Sequence, residues 1–345
     1  MTNLTIRGVL AALLIAPLAL TACSGSSEPK AVKAVDSSSP TPTTTSPTPT
    51  PTPPALSLLS GRTGKKNGPV YAVKVDNTTK AHPQIGLTKA DVVYIEQVEG
   101  GVTRLAAIFS STYPKVVGPV RSARISDIDL LRQYGTVGLM YSGSQTPLLP
   151  KLLAAKLKLV SFDASRTGYI RSPRRPMPYD VIGNFAALRK RAGKVSIPKS
   201  VGYKFGALPT AGGRSATHAT VRFPSAVVDA RWSSTKKRYL LSMDGAKDMA
   251  AEGGQLGATT FVVQYSTLRP SVYKDVNGAN TPRTVTTGHG KALFFRNGKV
   301  FKGNWQRAKP WYPTKYTFAN GSPAVFAPGQ IWIALLGRNR PVSIN

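Results

Sequence analysis

Apolar and polar positions alternate most regularly in Val70–Asp76, where Tyr71, Val73 and Val75 fall on one face, which predicts a strand. Asp91–Val98 is apolar and β-branched, and Arg104–Phe109 is a near-continuous apolar run, the pattern of strands buried on both faces. Helical signals come next. Ser126 followed by Asp129 predicts a capping-box start, with Ile128, Leu130 and Leu131 as the apolar stripe and Gly135 as the stop. Thr146-Pro147 predicts a second helix start ahead of Leu148, Leu149, Leu152 and Leu153, and Asn184 caps a third helix that runs to Gly193. Beyond residue 206 the pattern turns to strands: Arg238–Met243, Thr259–Tyr265, Lys291–Arg296 and Ile331–Leu336 are the clearest. Asn297-Gly298 and Asn320-Gly321 suit hairpin turns that need φ > 0. The expected fold class is α+β: an α/β-type amino-terminal domain (61–200) followed by a mainly antiparallel β domain (206–340).

The chain before residue 61 has a different character. Arg7 is the only charge ahead of the apolar run Val9–Leu20, which is short for a bilayer span and reads as the core of a secretory signal over residues 1–22. Leu20-Thr21-Ala22-Cys23 resembles the lipobox of bacterial lipoproteins, in which the Cys thiol receives diacylglycerol. The expectation is a membrane anchor through diacylglyceryl-Cys23, two acyl chains holding where one would not. Asp36–Pro54 is Ser, Thr and Pro, which favours extended polyproline II and cannot build a core. At about 3.1 Å per residue it would reach on the order of 60 Å, so residues 23–60 are expected to form a disordered stalk.

Composition narrows the function classes. The chain has 345 residues, 46 Lys+Arg against 15 Asp+Glu, three His and one Cys. One Cys excludes a disulfide framework, and His82, His218 and His289 are too scattered for a metal centre, so neither metal nor cofactor is implied. No GxSxG, Walker A or strand-linked GxGxxG is present, and the Ser142-Gly143-Ser144-Gln145 turn reads as a loop at a strand end. Loss of Arg7 with the signal takes the formal charge from +31 to +30, which suits anionic envelope polymers or lipids. Export, not charge, argues against a specific nucleic-acid role.

Val75-Asp76-Asn77, Pro83-Gln84-Ile85-Gly86-Leu87, Val98-Glu99-Gly100-Gly101-Val102-Thr103-Arg104 and above all Gly118-Pro119-Val120-Arg121-Ser122-Ala123-Arg124 resemble the amino-terminal domain of the YerB-like lipoproteins. Gly288-His289-Gly290-Lys291-Ala292, Gly303-Asn304-Trp305 and Pro328-Gly329-Gln330-Ile331-Trp332 resemble that family's carboxy-terminal domain. The resemblance implies an exported, lipid-anchored protein and carries no assigned activity. Where relatives have Pro-His-Asn, this chain has Pro178-Tyr179-Asp180, so no acid–base role transfers to that position.

The shared block suggests chemistry. Arg121 and Arg124 precede the first expected helix, whose N-terminus would add donors to two guanidinium forks suited to phosphate or carboxylate. Arg104, Arg171, Arg174 and Arg175 are candidates to join them, with Asp76, Asn77, Glu96 and Glu99 as polar partners. Structural ion pairs are the competing explanation for any one pair. Glu96 and Glu99, three apart, would face opposite sides of an extended strand, which weakens a paired-carboxylate glycosidase reading. The leading expectation is a tethered binder of an anionic ligand: wall polymer, lipid headgroup or phosphate-bearing precursor. The alternatives are an enzyme that holds phosphate with arginines and uses an Asp or Glu as base or cation ligand, and a scaffold for another envelope protein.

The anchor has a direct test. Mass spectrometry of the amino-terminal peptide is expected to show a lipid-modified Cys23 in the native host and no lipid in Cys23→Ala, with folding unchanged. Free Cys23 on wild-type protein from the membrane would refute the anchor.

Overall fold

The computed structural model describes residues 56–345 except Lys199, Thr210 and Ala211. The expected signal segment, Cys23 and the Ser/Thr/Pro stretch lie outside the described residues. Among the described residues no helix is long and apolar enough to cross a membrane.

A twelve-stranded mixed sheet organises the molecule. In chain order its strands are β1 (Tyr71–Asp76), β2 (Val92–Gln97), β3 (Thr103–Phe109), β4 (Val137–Tyr141), β5 (Leu157–Ser161), β6 (Gly213–Ser215), β7 (Thr260–Lys274), β8 (Asn280–Val285), β9 (Gly288–Arg296), β10 (Lys299–Arg307), β11 (Lys315–Phe318) and β12 (Ile331–Gly337). Across the sheet the order is β6-β10-β9-β7-β12-β2-β3-β1-β4-β5, with β8 paired to β7 and β11 to β10. The last strand of the sheet in sequence is thus central in space. β12 lies parallel to both β2 (Val92 opposite Ile331) and β7 (Thr260 opposite Ile331), and all seven of its residues are buried, as a strand covered on both faces requires.

Both faces are covered. One packs Tyr71, Val73, Val93, Leu105, Trp332 and Ala334 against helix α3 (Phe185–Ala192) and a smaller six-stranded sheet that supplies Ala219, Val221, Val228 and Leu241. The other packs Tyr94, Ala106, Ile331 and Ile333 against α1 (Ile125–Leu131) and α2 (Leu149–Ala154). Leu59 is fully buried in this second core, so ordered packing begins ahead of residue 61.

The expected strands are present, and several extend further: the strand expected at Thr259–Tyr265 begins at Thr260 and continues as the fifteen-residue β7. Asn297 (φ 53°) and Gly298 (φ 71°) form the expected turn between β9 and β10. The α/β-type half needs correction, because the molecule is mostly β. Each helical signal extends for only six to eight residues, and the apolar runs between them go to the sheet. The start of α1 is also corrected: Arg124 is its N-cap, and the Asp127 carboxylate, not Asp129, accepts from the Arg124 N–H at 2.6 Å.

The sheet predicts a folding dependence. A chain ending at residue 200 lacks β12 and bares the edge of β2 at Val92–Ile95, all buried in the whole molecule. It is expected to aggregate in size-exclusion chromatography with light scattering, while the described region stays monodisperse. A folded monomeric fragment would show that the sheet is separable.

Candidate functional site

Strand direction builds the site. β1, β2, β4 and β7 are all parallel within the sheet frame, directly or through β3 and β12, so their carboxyl ends emerge on one edge. There β1 delivers Asp76, the turn after β2 delivers Glu99, β3 begins with Thr103 and Arg104, and the loop after β4 carries Ser142–Gln145. That turn is tight because Gly100 (φ 65°) and Gly101 (φ 76°) take left-handed conformations, and a Cβ on Gly101 would lie 2.5 Å from Pro224. Asp76, Glu99, Arg104 and Gly143–Gln145, together with Arg121, Arg124, Tyr179 and the β7–β8 hairpin residues Lys274–Asn277, line a cleft of about 730 Å³. Crevices beyond the carboxyl ends of strands are the usual ligand position in open sheets with parallel strands.

Two carboxylates position the three arginines. Asp76 accepts from Arg121 Nε at 2.8 Å, faces Arg104 Nη2 at 3.4 Å, and takes the Thr78 N–H and hydroxyl on its other oxygen at 2.8 and 2.6 Å. Glu99 holds Arg124 in a two-point fork, Nε at 2.7 Å and Nη2 at 2.8 Å. It also accepts from Gln145 at 3.1 Å and from the Thr281 hydroxyl of β8. Burial alone would raise both carboxyls. The Arg104 and Arg121 charges and the Thr78 hydrogen bonds bring Asp76 below its ordinary value, and Arg124 with Thr281 brings Glu99 down to about 2. Neither is a competent proton acceptor near neutrality.

Arg104 differs from its neighbours. It is 4% exposed, its buried Nε and Nη1 have no hydrogen-bond partner among the described residues, and the carboxylate it faces is 3.4 Å away. Burial, with Arg124 and Arg121 nearby, lowers its pKa to about 10 against the pull of Asp76. Beneath it, sealed from the cleft, Lys74 Nζ bridges Glu96 at 3.0 Å and Asp127 at 2.7 Å, all three at 0–1% exposure. Burial raises Glu96 to about 7, Lys74 opposing and Asp127 reinforcing the rise.

The sequence candidates therefore separate. Asp76, Glu99, Arg104, Arg121 and Arg124 converge on the cleft. Glu96 belongs to the Lys74 cluster. Asn77 is buried and bonds Thr103 at 2.8 Å and Gln84 at 3.1 Å. Arg171 bonds Asp180 at 2.9 Å and stacks on Phe162, while Arg175 donates to the carbonyls of Ala81 and Pro83; neither they nor Arg174 line the cleft. The expected helix N-terminus contributes no open donors at Arg124, because Asp127 occupies that N–H. Sequence reasoning missed Lys74, Gln145 as a ligand of Glu99, and the hairpin; their partners are 22 to 182 residues away in sequence. Tyr179, at the position that departs from the family pattern, lies under the Arg121 guanidinium at 5.9 Å.

The Glu99 fork gives a pH signature. Its depressed pKa contributes stability above the ordinary glutamate value of about 4.5, lost as pH falls toward about 2. Arg124→Gln is expected to cost roughly 3 kcal/mol at pH 7, since it leaves a buried carboxylate unpaired. The gap from wild type is expected to narrow as pH falls from about 4.5 to 2 in thermal melts. A gap that stays constant would show that Glu99 is not the coupled group.

Comparison with known proteins agrees with this architecture. Residues 58–198 match the family model "Protein of unknown function (DUF3048) N-terminal domain", and residues 219–333 match the corresponding C-terminal domain. The protein named "Putative lipoprotein YerB" from Bacillus subtilis (strain 168) is 28% identical over 287 residues, covering 77% of this chain and 80% of that one. The crystal structure of YerB protein from Bacillus subtilis superposes with a TM-score of 0.72 at 22% identity, over 84% of this chain and 99% of that one. With both halves matched in order and the fold shared, this chain belongs to the two-domain DUF3048 family of YerB-like proteins.

Proposed function

We propose that this is an exported, lipid-anchored cell-envelope protein whose arginine cleft binds an oxyanion, phosphate or carboxylate, presented by a wall polymer, a lipid headgroup or an envelope precursor. The lipobox-like Leu20-Thr21-Ala22-Cys23 and a relative named as a lipoprotein support the location, on the extracytoplasmic face of the membrane. The observation that carries the ligand is the convergence of three guanidiniums, Arg104, Arg121 and Arg124, on one cleft. An oxyanion in the cleft would take charge-assisted hydrogen bonds from the guanidinium nitrogens that face it. The balance of the walls agrees: Arg104, Arg121, Arg124 and Lys274 face Asp76, Glu99 and Asp275, one cation in excess.

The same geometry favours binding over catalysis. Asp76 and Glu99 are committed to holding arginines, and Glu96, whose pKa near 7 would suit a general base, is sealed at 1% exposure beneath the cleft.

Calorimetry on the chain from Cys23 onward, carrying Cys23→Ser so that no lipid contributes, tests the ligand. Inorganic phosphate is expected to bind saturably at low ionic strength. Arg121→Gln should weaken binding at least tenfold with little change in melting temperature, since that side chain is a quarter exposed. Arg104→Lys should weaken it comparably, because an ammonium lacks the fork. No saturable binding of phosphate or acetate at low salt would sink the proposal.

A further inference from the structure

On the solvent face of the carboxy-terminal strands, sharing no lining residue with the cleft, lies a second cationic feature. Along β10, Lys302, Asn304 and Gln306 are exposed while Phe301, Gly303, Trp305 and Arg307 point into the core. The register puts Lys291 of β9 beside Asn304 and Lys315 of β11 beside Gln306. It puts Arg214 of β6 beside Val300, on the same face. Arg338 and Arg340, following β12, wall the other side, and Arg338 is fixed there by donating to the His289 carbonyl at 3.0 Å. Three adjoining depressions of about 420, 690 and 390 Å³ share these residues and form one groove.

Two properties define the occupant. Among the described residues six cations line the groove and no acidic residue does, so none of these neutralises them. This is the reverse of the arginine cleft, where carboxylates take up most of the charge. The groove is also long: from Gln306, opposite Lys315, to Val300, opposite Arg214, the chain advances six residues, about 20 Å at strand rise. One oxyanion cannot contact both ends. We propose that this groove is a binding site for a linear polyanion, laid along β10 with successive anionic groups meeting Lys315, Lys291, Lys302 and Arg214. A membrane surface fits less well, because the cations line a trough with Arg338 and Arg340 as its wall and do not project as a flat face. The site is independent of the arginine cleft, and either can fail without the other.

Long-chain inorganic polyphosphate is the probe, titrated against the chain from Cys23 onward carrying Cys23→Ser. Polyphosphate is expected to bind at least a hundredfold tighter than orthophosphate at equal phosphate concentration. The logarithm of affinity should fall with log salt at a slope of about −3 to −4, from roughly −0.7 per contact on a flexible chain and four to six contacts. Lys291→Gln with Lys302→Gln, both exposed, should lower affinity at least tenfold and flatten the slope by about 1 to 1.5. Lys236→Gln with Lys247→Gln removes the same charge from exposed positions outside the groove and should change affinity less than twofold. Arg121→Gln should leave polyphosphate binding intact. Equal losses in the two lysine pairs would reduce the effect to net charge and overturn the groove. So would polyphosphate binding no tighter than orthophosphate, or a Lys291/Lys302 defect confined to phosphatidylglycerol vesicles.

Discussion

The parallel pairing of β12 with both β2 and β7 is the constraint on which the rest depends. Its main-chain ladder fuses the early and late parts of the chain into one sheet, and the like sense of its two pairings determines which strand ends meet. Because β7 then runs parallel to β2, the β7–β8 hairpin leaves the sheet on the edge where Asp76, Glu99 and Arg104 emerge. The Thr281 hydroxyl reaches Glu99 across 182 residues of sequence. Had β12 paired parallel with one of β2 and β7 and antiparallel with the other, β7 would run against β2, that hairpin would leave from the opposite edge and the cleft would lack one wall. The five large apolar side chains of β12, Ile331, Trp332, Ile333, Leu335 and Leu336, are fully buried and contribute roughly 1.5–3 kcal/mol each toward keeping it in place.

Polarity is graded beneath the cleft. The apolar core gives way at Lys74, whose charge is shared by Glu96 and Asp127, then to Arg104 and Asp76, then to solvent. Each layer limits the next: Asp127 both caps α1 through the Arg124 N–H and anchors Lys74, so the helix bearing the cleft's wall is tied to the buried cation. Asp76 and Glu99 hold Arg121 and Arg124 in place, which preorganises guanidinium forks so that little is lost when a ligand arrives. Arg104 is the member of this set that protein groups leave least satisfied.

The two cationic features differ in kind. The cleft is largely self-neutralised and its arginines are held by carboxylates, a geometry for one group. The β10 groove is long and uncompensated, a geometry for many groups at low specificity. A protein with both would combine avidity along a polymer with recognition of one point on it.

Much of the secondary structure was legible in the chain. Alternation at Tyr71, Val73 and Val75 determines a strand face because side chains on a strand have a period of two. Asn297-Gly298 determines a turn because both residues tolerate positive φ, and Asn184 caps a helix because its side chain reaches the Ala187 N–H. The family block was legible too, and five of its charged residues meet in one cleft. Tertiary structure alone decided which five. Glu96 and Glu99 are three residues apart, yet a strand end and a glycine turn send one to Lys74 and the other to Arg124 in the cleft wall. Arg171 and Arg175 look like Arg121 and Arg124 in sequence but are consumed by Asp180 and by backbone carbonyls. Local pattern specifies local conformation because its cause lies within a few residues. The charge partners and the parallel seating of β12 arise from contacts between segments tens to hundreds of residues apart, which no window along the chain contains.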